Sequence, residues 1–260
     1  GYGRGGRMQI EHDQVMFVGG VRHLVTLGTP ICLVIKNRDY EQWGPIMAPM
    51  TTGASTQDRK RSVVTPRPGH ADLVGGLKYQ QTDLRNVLER SSARETAMRV
   101  AIGALCEQLL AQLDIQVLGY VTEIGQFKSR PLAKLEPDLR LLRTQIEQTD
   151  LRLLQPADYP AAVSTIEAAK KARHTLGGTL QILATGLPAG LGDFTTANQK
   201  LDGRLAQSIN GINAIKGVSF GLGFAVGQLP GDQVQDQIIW SATTGYSRQT
   251  NQLVGLEGGM

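Results

Sequence analysis

The stretch of sequence that says most about the fold is ERSSARETAMRVAIGALCEQLLAQL, residues 89–113. Small and apolar side chains recur every four residues from Ala97 onward, which predicts a helix with one apolar face that ends near Leu113. Ser92 and Glu95 fit the Ser-x-x-Glu capping box, in which each side chain satisfies a backbone N–H group of the first turn. We expect this helix to lie in the hydrophobic core.

Apolar patterns on both sides of this helix predict further strands and helices. The predicted strands are 8–17, 31–35, 115–127, 179–183 and 218–229, and the unbroken apolar run 31–35 indicates a strand covered on both faces. Residues 139–155 and 159–173 are predicted to be helices or helical turns, residues 201–212 a short helix, and residues 48–68 and 186–192 loops. Because strands and helices are mixed without a regular β-α-β alternation, the pattern favours an α+β class with mostly antiparallel sheets.

The composition is that of a soluble globular protein. Hydrophobic residues make up 41 % and charged residues 19 % of the 260 residues. No apolar run reaches the roughly 18 residues that a membrane span needs, and the sequence starts with neither a signal peptide nor a transit segment. The chain begins at Gly1 without a methionine and stops at Met260, so we expect a trimmed chain.

The two cysteines, Cys32 and Cys106, each lie in an apolar stretch, so we expect them to be buried small hydrophobic side chains. Two isolated thiols do not make a metal cluster, and no zinc-ligand spacing, phosphate-binding P-loop or dinucleotide-binding glycine motif is present. We therefore expect no metal site. A reducing cytoplasm fits two unpaired thiols best.

A mild basic excess, with a net charge of +4, is compatible with nucleic acid or with a phosphorylated small molecule as a partner. Residues 3–7, GRGGR, permit three interpretations: a flexible RNA-binding tract, a pair of guanidinium groups that bind an anion bidentately, or a solvated loop. Aromatic residues are only 5 %, too few for a rich base-stacking surface. The strand pattern that begins at Met8 favours an ordered segment.

His70 lies in the turn sequence TPRPGHAD, residues 65–72. Two prolines stiffen the approach to the turn, and Gly69 permits a sharp bend just before the histidine. A histidine held on a rigid turn next to Arg67 and Asp72 can transfer protons near neutral pH. The alternative interpretation is a structural histidine, and the residues alone leave both open.

Residues 89–95, ERSSARE, also combine a structural and a functional interpretation. A capped helix start accounts for them without any ligand. A helix N-terminus also presents free N–H groups and a partial positive charge, so two hydroxyls and two arginines there suit a phosphate group.

Seven segments together resemble the chorismate synthase family, in the family's order and over nearly the whole chain. They are residues 3–8, 22–23 together with 26–31, 65–72, 85–96, 186–192, 213–218 and 255–260. The stretch SSARET, residues 91–96, is the most specific of them, whereas the glycine-rich stretches alone are not specific.

The resemblance implies a fold, an activity and an assembly. The implied fold is α+β, a β-α-β sandwich with helices packed between two mostly antiparallel sheets, assembled as a homotetramer. The implied activity is the 1,4-elimination of phosphate from 5-enolpyruvylshikimate 3-phosphate to give chorismate, in the shikimate pathway of aromatic amino acid biosynthesis. It implies reduced FMN as cofactor, NADPH in members that reduce their own flavin, a cytoplasmic location, and neither nucleic acid nor a membrane as partner.

The resemblance also assigns roles to eleven residues. The implied substrate-binding residues are Arg4, Arg7, Arg67 and Arg94, and Arg4 would also meet a nicotinamide cofactor. His70 corresponds to an active-site histidine, the implied proton donor to the reduced flavin. The implied cofactor-binding residues are Arg90, Ser91, Ser92, Asn213, Ala214 and Gly258.

The sequence departs from the family pattern in three places. It lacks the family's opening segment with a second active-site histidine, and it lacks a later segment that binds the flavin phosphate. Leu24 stands where the family usually has glycine. The resemblance therefore implies one domain over residues 1–260 that is incomplete at both ends. The alternatives are a flavin-binding relative without lyase activity, and a basic nucleic-acid-binding module.

Overall fold

A computed structural model of the chain describes Tyr2 and residues 12–50, 61–132 and 138–260. These residues form two compact units. The first unit contains the described residues up to Leu105, and the second contains Tyr2 and the described residues from Cys106 onward. The boundary falls inside one helix, Thr96–Ala111.

The first unit combines short strands with helices. Its strands are β1 (Val15–Gly19), β2 (Val21–Arg22), β3 (Val25–Thr26) and β4 (Cys32–Ile35). Its helices are α1 (Gly44–Met47), α2 (Asp72–Tyr79), α3 (Arg85–Arg90) and α4 (Thr96–Ala111), with 3-10 turns at Arg38–Gln42 and Ala93–Glu95. β1 pairs with β4 and β2 pairs with β3, both antiparallel. At Gly20, where φ is +83°, a Cβ would lie 2.5 Å from the Pro30 carbonyl oxygen, so this position admits only glycine.

A two-residue turn, His23-Leu24, joins β2 to β3. Both residues have positive φ, 50° for His23 and 65° for Leu24, as the two central residues of the tightest hairpin turns do. The Leu24 side chain is 99 % exposed, so packing does not offset the steric cost of this left-handed conformation. The departure from the family's glycine therefore falls on a position where glycine is the favoured residue.

We expect Leu24→Gly to raise the free energy of unfolding of the full-length protein by about 0.5–1 kcal/mol. Relief of the left-handed strain, about 1–2 kcal/mol, outweighs the extra freedom that glycine gives the unfolded chain. Chemical denaturation measures the change. Leu24→Ala keeps the Cβ and should bring no such gain, so equal stabilisation by alanine and glycine would contradict the strain argument.

The second unit contains a three-stranded sheet, a separate hairpin and three helices. Its strands are β5 (Gln116–Ile124), β6 (Phe127–Lys128), β7 (Gly178–Thr185), β8 (Ile238–Ser241) and β9 (Gly245–Arg248). Its helices are α5 (Leu139–Ile146), α6 (Tyr159–Lys171) and α7 (Leu201–Asn210), with 3-10 turns at Pro156–Asp158, Ala197–Gln199, Gly223–Gln228 and Gly231–Gln233. The sheet order is β6-β5-β7, and all its pairs are antiparallel, as is the pair β8-β9.

A cluster of buried side chains lies between β5 and α5. Leu118 and Tyr120 lie two residues apart on β5, so their side chains point to the same face of the sheet. Leu139 and Ile146 lie seven residues apart on α5, which places them on one side of the helix, and Leu154 completes the cluster. The Tyr120 hydroxyl donates to Gln181 Oε1 at 2.5 Å, so the one polar atom of this group has a partner.

Several predicted elements are confirmed. The helix after Ser92 ends by Leu113, the strands at 31–35 and 179–183 are β4 and β7, and the helices at 159–173 and 201–212 are α6 and α7. Residues 186–192 form the predicted loop, as do the described parts of 48–68 apart from local turns. Of the predicted strand 8–17, residues 15–17 belong to β1, and residues 8–11 lie outside the described part of the chain.

Three predictions about local structure are wrong. Residues 115–127 are a hairpin rather than one strand, because Gly125 adopts φ +56° and reverses the chain. Residues 218–229 form coil and a 3-10 turn instead of a strand, while the helix or helical turns predicted at 139–155 begin with α5, which ends at Ile146. The 31–35 strand is not covered on both faces, since exposure alternates along β4.

The burial predicted for α4 and for the cysteines is also wrong. None of the residues of α4 is buried, and Val100, Ile102 and Leu109 are each more than half exposed. Cys32 and Cys106 are both exposed. The four-residue apolar spacing identifies the apolar face of a helix, but it carries no information on what covers that face.

Candidate functional site

Residues 65–72 form the turn that carries His70. Gly69 adopts φ +73°, which confirms the bend expected before the histidine. A Cβ at Gly69 would meet nothing within 4 Å, so the backbone conformation alone calls for glycine there. The backbone N–H of His70 donates to the Arg67 carbonyl oxygen at 3.3 Å, and α2 begins at Asp72. The turn therefore holds His70 against the first turn of a helix.

Three side chains, Arg67, His70 and Asp72, meet in this turn, and we call them the Asp72 cluster. Arg67 Nε donates to Asp72 Oδ2 at 2.8 Å, and His70 Nδ1 lies 2.5 Å from Asp72 Oδ1. Arg67 Nη2 lies 3.0 Å from both ring nitrogens of His70. The Asp72 side chain is fully buried, whereas those of Arg67 and His70 are 49 % and 27 % exposed. The cluster thus offers a cation and an imidazole to a ligand while hiding the carboxylate.

The electrostatics of the cluster keep Asp72 ionised. The Arg67 guanidinium holds the pKa of the Asp72 carboxyl well below its usual value of 3.8, against the opposing effect of burial and with the help of His70. The same contact raises the pKa of Arg67. A lowered folded-state pKa stabilises the fold above the usual value, and this contribution is lost as the pH falls through the folded-state pKa.

The stretch 89–95 is divided between two structural elements. Arg90 ends α3 and Ser91 caps that end, with its hydroxyl donating to the Val87 carbonyl oxygen at 2.6 Å. Ser92 caps the following turn, and its Oγ accepts from the Arg94 backbone N–H at 3.2 Å. The N-cap predicted at Ser92 is confirmed. The prediction that all of 89–95 opens a helix is wrong, because its first three residues close the preceding one.

Arg94 is held by a carboxylate far away in sequence. Its Nη1 donates to Asp13 Oδ2 at 2.7 Å, and its Nη2 contacts Asp13 Oδ1, so the pair is bidentate. Hydrogen bonding by Arg94 lowers the pKa of Asp13 below its usual range. The Arg94 side chain is 25 % exposed, so part of it stays accessible to a ligand.

The remaining predicted site residues are placed as follows. Arg4 and Arg7 lie outside the described residues. Asn213, Ala214 and Gly258 belong to the second unit, whereas the Asp72 cluster, Arg90, Ser91, Ser92 and Arg94 belong to the first. Ala214 and Gly258 both have positive φ, 71° and 68°, so each lies at a sharp turn of the backbone.

A buried carboxylate in the second unit holds the segment that leads to Gly258. Asp236 Oδ1 accepts from Thr250 Oγ1 at 2.5 Å and from the backbone N–H of Gln252 at 2.6 Å, and its Oδ2 accepts from that of Leu253 at 2.8 Å. Burial alone would raise the pKa of Asp236, but these hydrogen bonds lower it below its usual range. The carboxylate therefore fixes the course of residues 250–253.

Sequence reasoning did not single out Asp13 or Asp236, and it gave Asp72 only a secondary place beside His70. The position of Asp72, two residues after His70 and at the start of a helix, was an available signal. Asp13 and Asp236 carry no local signal, because their partners lie 81 and at least 14 residues away in sequence.

The described part of the chain has neither a candidate metal site nor a candidate membrane span. Among residues 12–50, 61–132 and 138–260, no group of three or more His, Cys, Asp or Glu side chains could hold a metal ion. Within the same ranges, no helix is both long enough and apolar enough to cross a membrane.

These observations define an α+β protein with antiparallel sheets and an arginine-flanked histidine suited to anionic ligands. A solved structure described as the crystal structure of chorismate synthase matches with a TM-score of 0.80 and 38 % identity, over 95 % of this chain and 67 % of that chain. The sequence model of the family "Chorismate synthase" matches residues 1–260. The chain belongs to the chorismate synthase family, and its predicted α+β fold is confirmed.

Curated relatives give the same result. The chorismate synthases of Lactiplantibacillus plantarum, Limosilactobacillus fermentum and Enterococcus faecalis are 55 %, 50 % and 49 % identical to it over 260 residues. Each alignment covers 100 % of this chain and 66 % of the relative. The chain therefore spans about two thirds of the length of the curated relatives it matches.

Proposed function

We propose that the full-length protein is a chorismate synthase, a carbon–oxygen lyase that eliminates phosphate from 5-enolpyruvylshikimate 3-phosphate. Membership of the family supports this reaction. The main structural support for the proposal is the Asp72 cluster. The reaction breaks one C–O and one C–H bond, forms one further C=C bond, and releases phosphate and a proton. A half-exposed guanidinium next to an accessible imidazole offers both an anion-binding group and a proton-transfer group at one place.

The substrate carries a phosphate and two carboxylates, which calls for several cations. Arg67 and Arg94 are the described candidates, and Arg4 and Arg7 complete the proposed set. Each of the two described arginines is oriented by a carboxylate, Asp72 for Arg67 and Asp13 for Arg94. Such partners fix the guanidinium planes before the ligand arrives, so less conformational freedom is lost on binding.

The residues proposed to hold reduced FMN fit its phosphate and polar groups. The Arg90 side chain is 83 % exposed and only 3.7 Å from Glu95 Oε2, a loose pair that leaves donors for an anion. Ser91 and Ser92 add hydroxyls to the same stretch. At Gly258 a Cβ would meet nothing within 4 Å, so space is left beside the backbone. When bound, reduced FMN would supply electron density for the elimination.

Asn213 and Ala214 complete the proposed cofactor-binding set. His70 is proposed to supply the proton that keeps the flavin in its active form.

The proposal extends to NADPH as a reductant of the flavin and to a homotetramer in the cytoplasm. Neither nucleic acid nor a membrane is proposed as a partner. The proposal also treats residues 1–260 as part of a single domain, since the family model matches this range without a break.

The test is an anaerobic assay of the full-length protein with reduced FMN and 5-enolpyruvylshikimate 3-phosphate, in which chorismate is followed by absorbance. We expect chorismate to form at a rate proportional to the protein concentration. Binding of FMN without product would mean a flavin-binding relative that lacks the lyase activity.

We expect Arg94→Ala to weaken binding of the phosphorylated substrate by about 1.5–3 kcal/mol, because one charge-assisted contact is lost. Isothermal titration of the full-length protein with oxidised FMN present separates binding from turnover. Arg130→Ala is the matched control, since Arg130 also pairs with an aspartate, Asp158, and has no proposed site role. Equal substrate affinity of the two variants would remove Arg94 from the site.

A further inference from the structure

Asp72 has so far been given only the orientation of Arg67, yet its environment is unusual for a carboxylate. Its side chain is fully buried in the first turn of α2. Oδ2 accepts from Arg67 Nε at 2.8 Å and from the Arg67 backbone N–H at 3.2 Å, and Oδ1 accepts from Arg67 Nη2 at 3.3 Å. The remaining contact of Oδ1, at 2.5 Å, is with His70 Nδ1. A buried carboxylate with these contacts is held in a single orientation.

This arrangement decides which nitrogen of His70 carries a proton in the neutral ring. An ionised carboxylate has acceptors only, so His70 Nδ1 must be the donor in its contact with Asp72. The neutral ring then carries its hydrogen on Nδ1, and Nε2 is left as the acceptor. Arg67 Nη2 lies 3.0 Å from both ring nitrogens, so the guanidinium group proposed to bind the substrate lies beside the ring, and only Nε2 is not held by Asp72. Nε2 is therefore the nitrogen that can exchange a proton beside the bound anion.

We propose that Asp72 is a positioning residue, whose carboxylate fixes the Nδ1–H tautomer and the ring orientation of His70 and holds Arg67 beside it. The inference deepens the proposed function and rests on it. When the ring is protonated, Nε2 is the nitrogen that gives its proton to the flavin. The Nδ1 proton stays hydrogen-bonded to Asp72, whose carboxylate remains ionised throughout. Asp72 thus orients the proton donor and the anion-binding group together.

A purely structural role is the competing explanation, because Asp72 also accepts from the backbone of the turn. Asp83 offers a matched comparison for it. Asp83 Oδ1 accepts from the backbone N–H groups of Val63 at 2.8 Å and Arg85 at 3.0 Å, in the same unit. It therefore fixes backbone much as Asp72 does, but none of these contacts involves His70.

The first readout is the tautomer of His70 in the full-length wild-type protein, from its 15N chemical shifts in histidine-labelled protein. The signal is assigned by its loss in His70→Gln. We expect the Nδ1–H tautomer in the wild type and in Asp83→Asn, and a population of the Nε2–H tautomer in Asp72→Asn. An Nε2–H tautomer in the wild type would overturn the proposal, whether or not the Asp72 variant folds.

The second readout is the steady-state rate of chorismate formation. We expect Asp72→Asn to lower kcat on the order of 10²-fold, with a smaller rise in KM and a shifted pH profile of kcat. Asp83→Asn should keep kcat and its pH profile near those of the wild type. If the wild-type protein is active and folded Asp72→Asn has an unchanged kcat, the positioning role alone is overturned. If the wild-type protein is inactive but His70 has the Nδ1–H tautomer, the proposed function is overturned instead.

Discussion

His70→Ala in the full-length protein lowers the turnover of 5-enolpyruvylshikimate 3-phosphate about 10²- to 10⁴-fold, the usual cost of losing a general acid. Substrate affinity changes far less, because Arg67 keeps its bond to Asp72 when the imidazole is removed. Anaerobic steady-state kinetics measure kcat, and titration of the variant with substrate measures the affinity. The expected pattern is a large fall in kcat with a nearly constant dissociation constant.

The control for this experiment is His174→Ala. His174 is exposed, it follows α6 in the second unit, and no site role is proposed for it. Its replacement should leave kcat close to that of the wild type. A His70 variant that turns over as fast as the His174 variant would withdraw the proton-transfer role from His70.

Ile146→Ala lowers the free energy of unfolding of the full-length protein by about 2–5 kcal/mol, the range for a large-to-small change in a packed core. The Ile146 side chain is completely buried, and it belongs to the cluster that α5 forms with β5. Its loss removes apolar contacts and leaves a cavity that neighbouring side chains fill only in part. Chemical denaturation followed by circular dichroism measures the effect.

Leu141→Ala, on the same helix, separates packing from helix propensity. The Leu141 side chain is 69 % exposed, so its truncation should change the free energy of unfolding by no more than about 0.5 kcal/mol. Similar losses for the two variants would mean that the cluster between α5 and β5 is not the stabilising core of this unit.

Local signals predicted much of the secondary structure. The cap at Ser92, the four-residue spacing after it and the turn residues of 186–192 act within a few residues of one another, so one sequence reveals them. The hairpin at Gly125 was missed because a strand pattern on both sides concealed a single turn residue. The Gly-interrupted segment 218–229 was mistaken for a strand, since spaced apolar residues also fit a 3-10 turn with exposed side chains.

Burial was predicted less well than local structure. The apolar stripe of α4 exists as expected, yet Val100, Ile102 and Leu109 remain largely exposed. Cys32 and Cys106 are exposed as well, although each lies in an apolar stretch of the sequence. The spacing of apolar residues shows which face of a helix is apolar. Whether that face is buried depends on the surface that packs against it, which is a property of the whole assembled protein.

The candidate site was predictable where its parts are close in sequence. Arg67, His70 and Asp72 lie within six residues, and the prolines and Gly69 of their turn are visible in the sequence. The pairing of Arg94 with Asp13 was not predictable, because 81 residues separate the two and both side chains look like ordinary surface charges. The residues that orient the proposed ligand-binding groups were the hardest to find, since their role exists only in the folded chain.

We propose that the full-length protein eliminates phosphate from its substrate without consuming the flavin. Chorismate and inorganic phosphate should therefore be measured together under anaerobic conditions, with reduced FMN present in less than the molar amount of substrate. We expect one phosphate for each chorismate, many turnovers per flavin and reduced flavin remaining at the end. Bound FMN with no chorismate, or flavin oxidised in proportion to product, would contradict it.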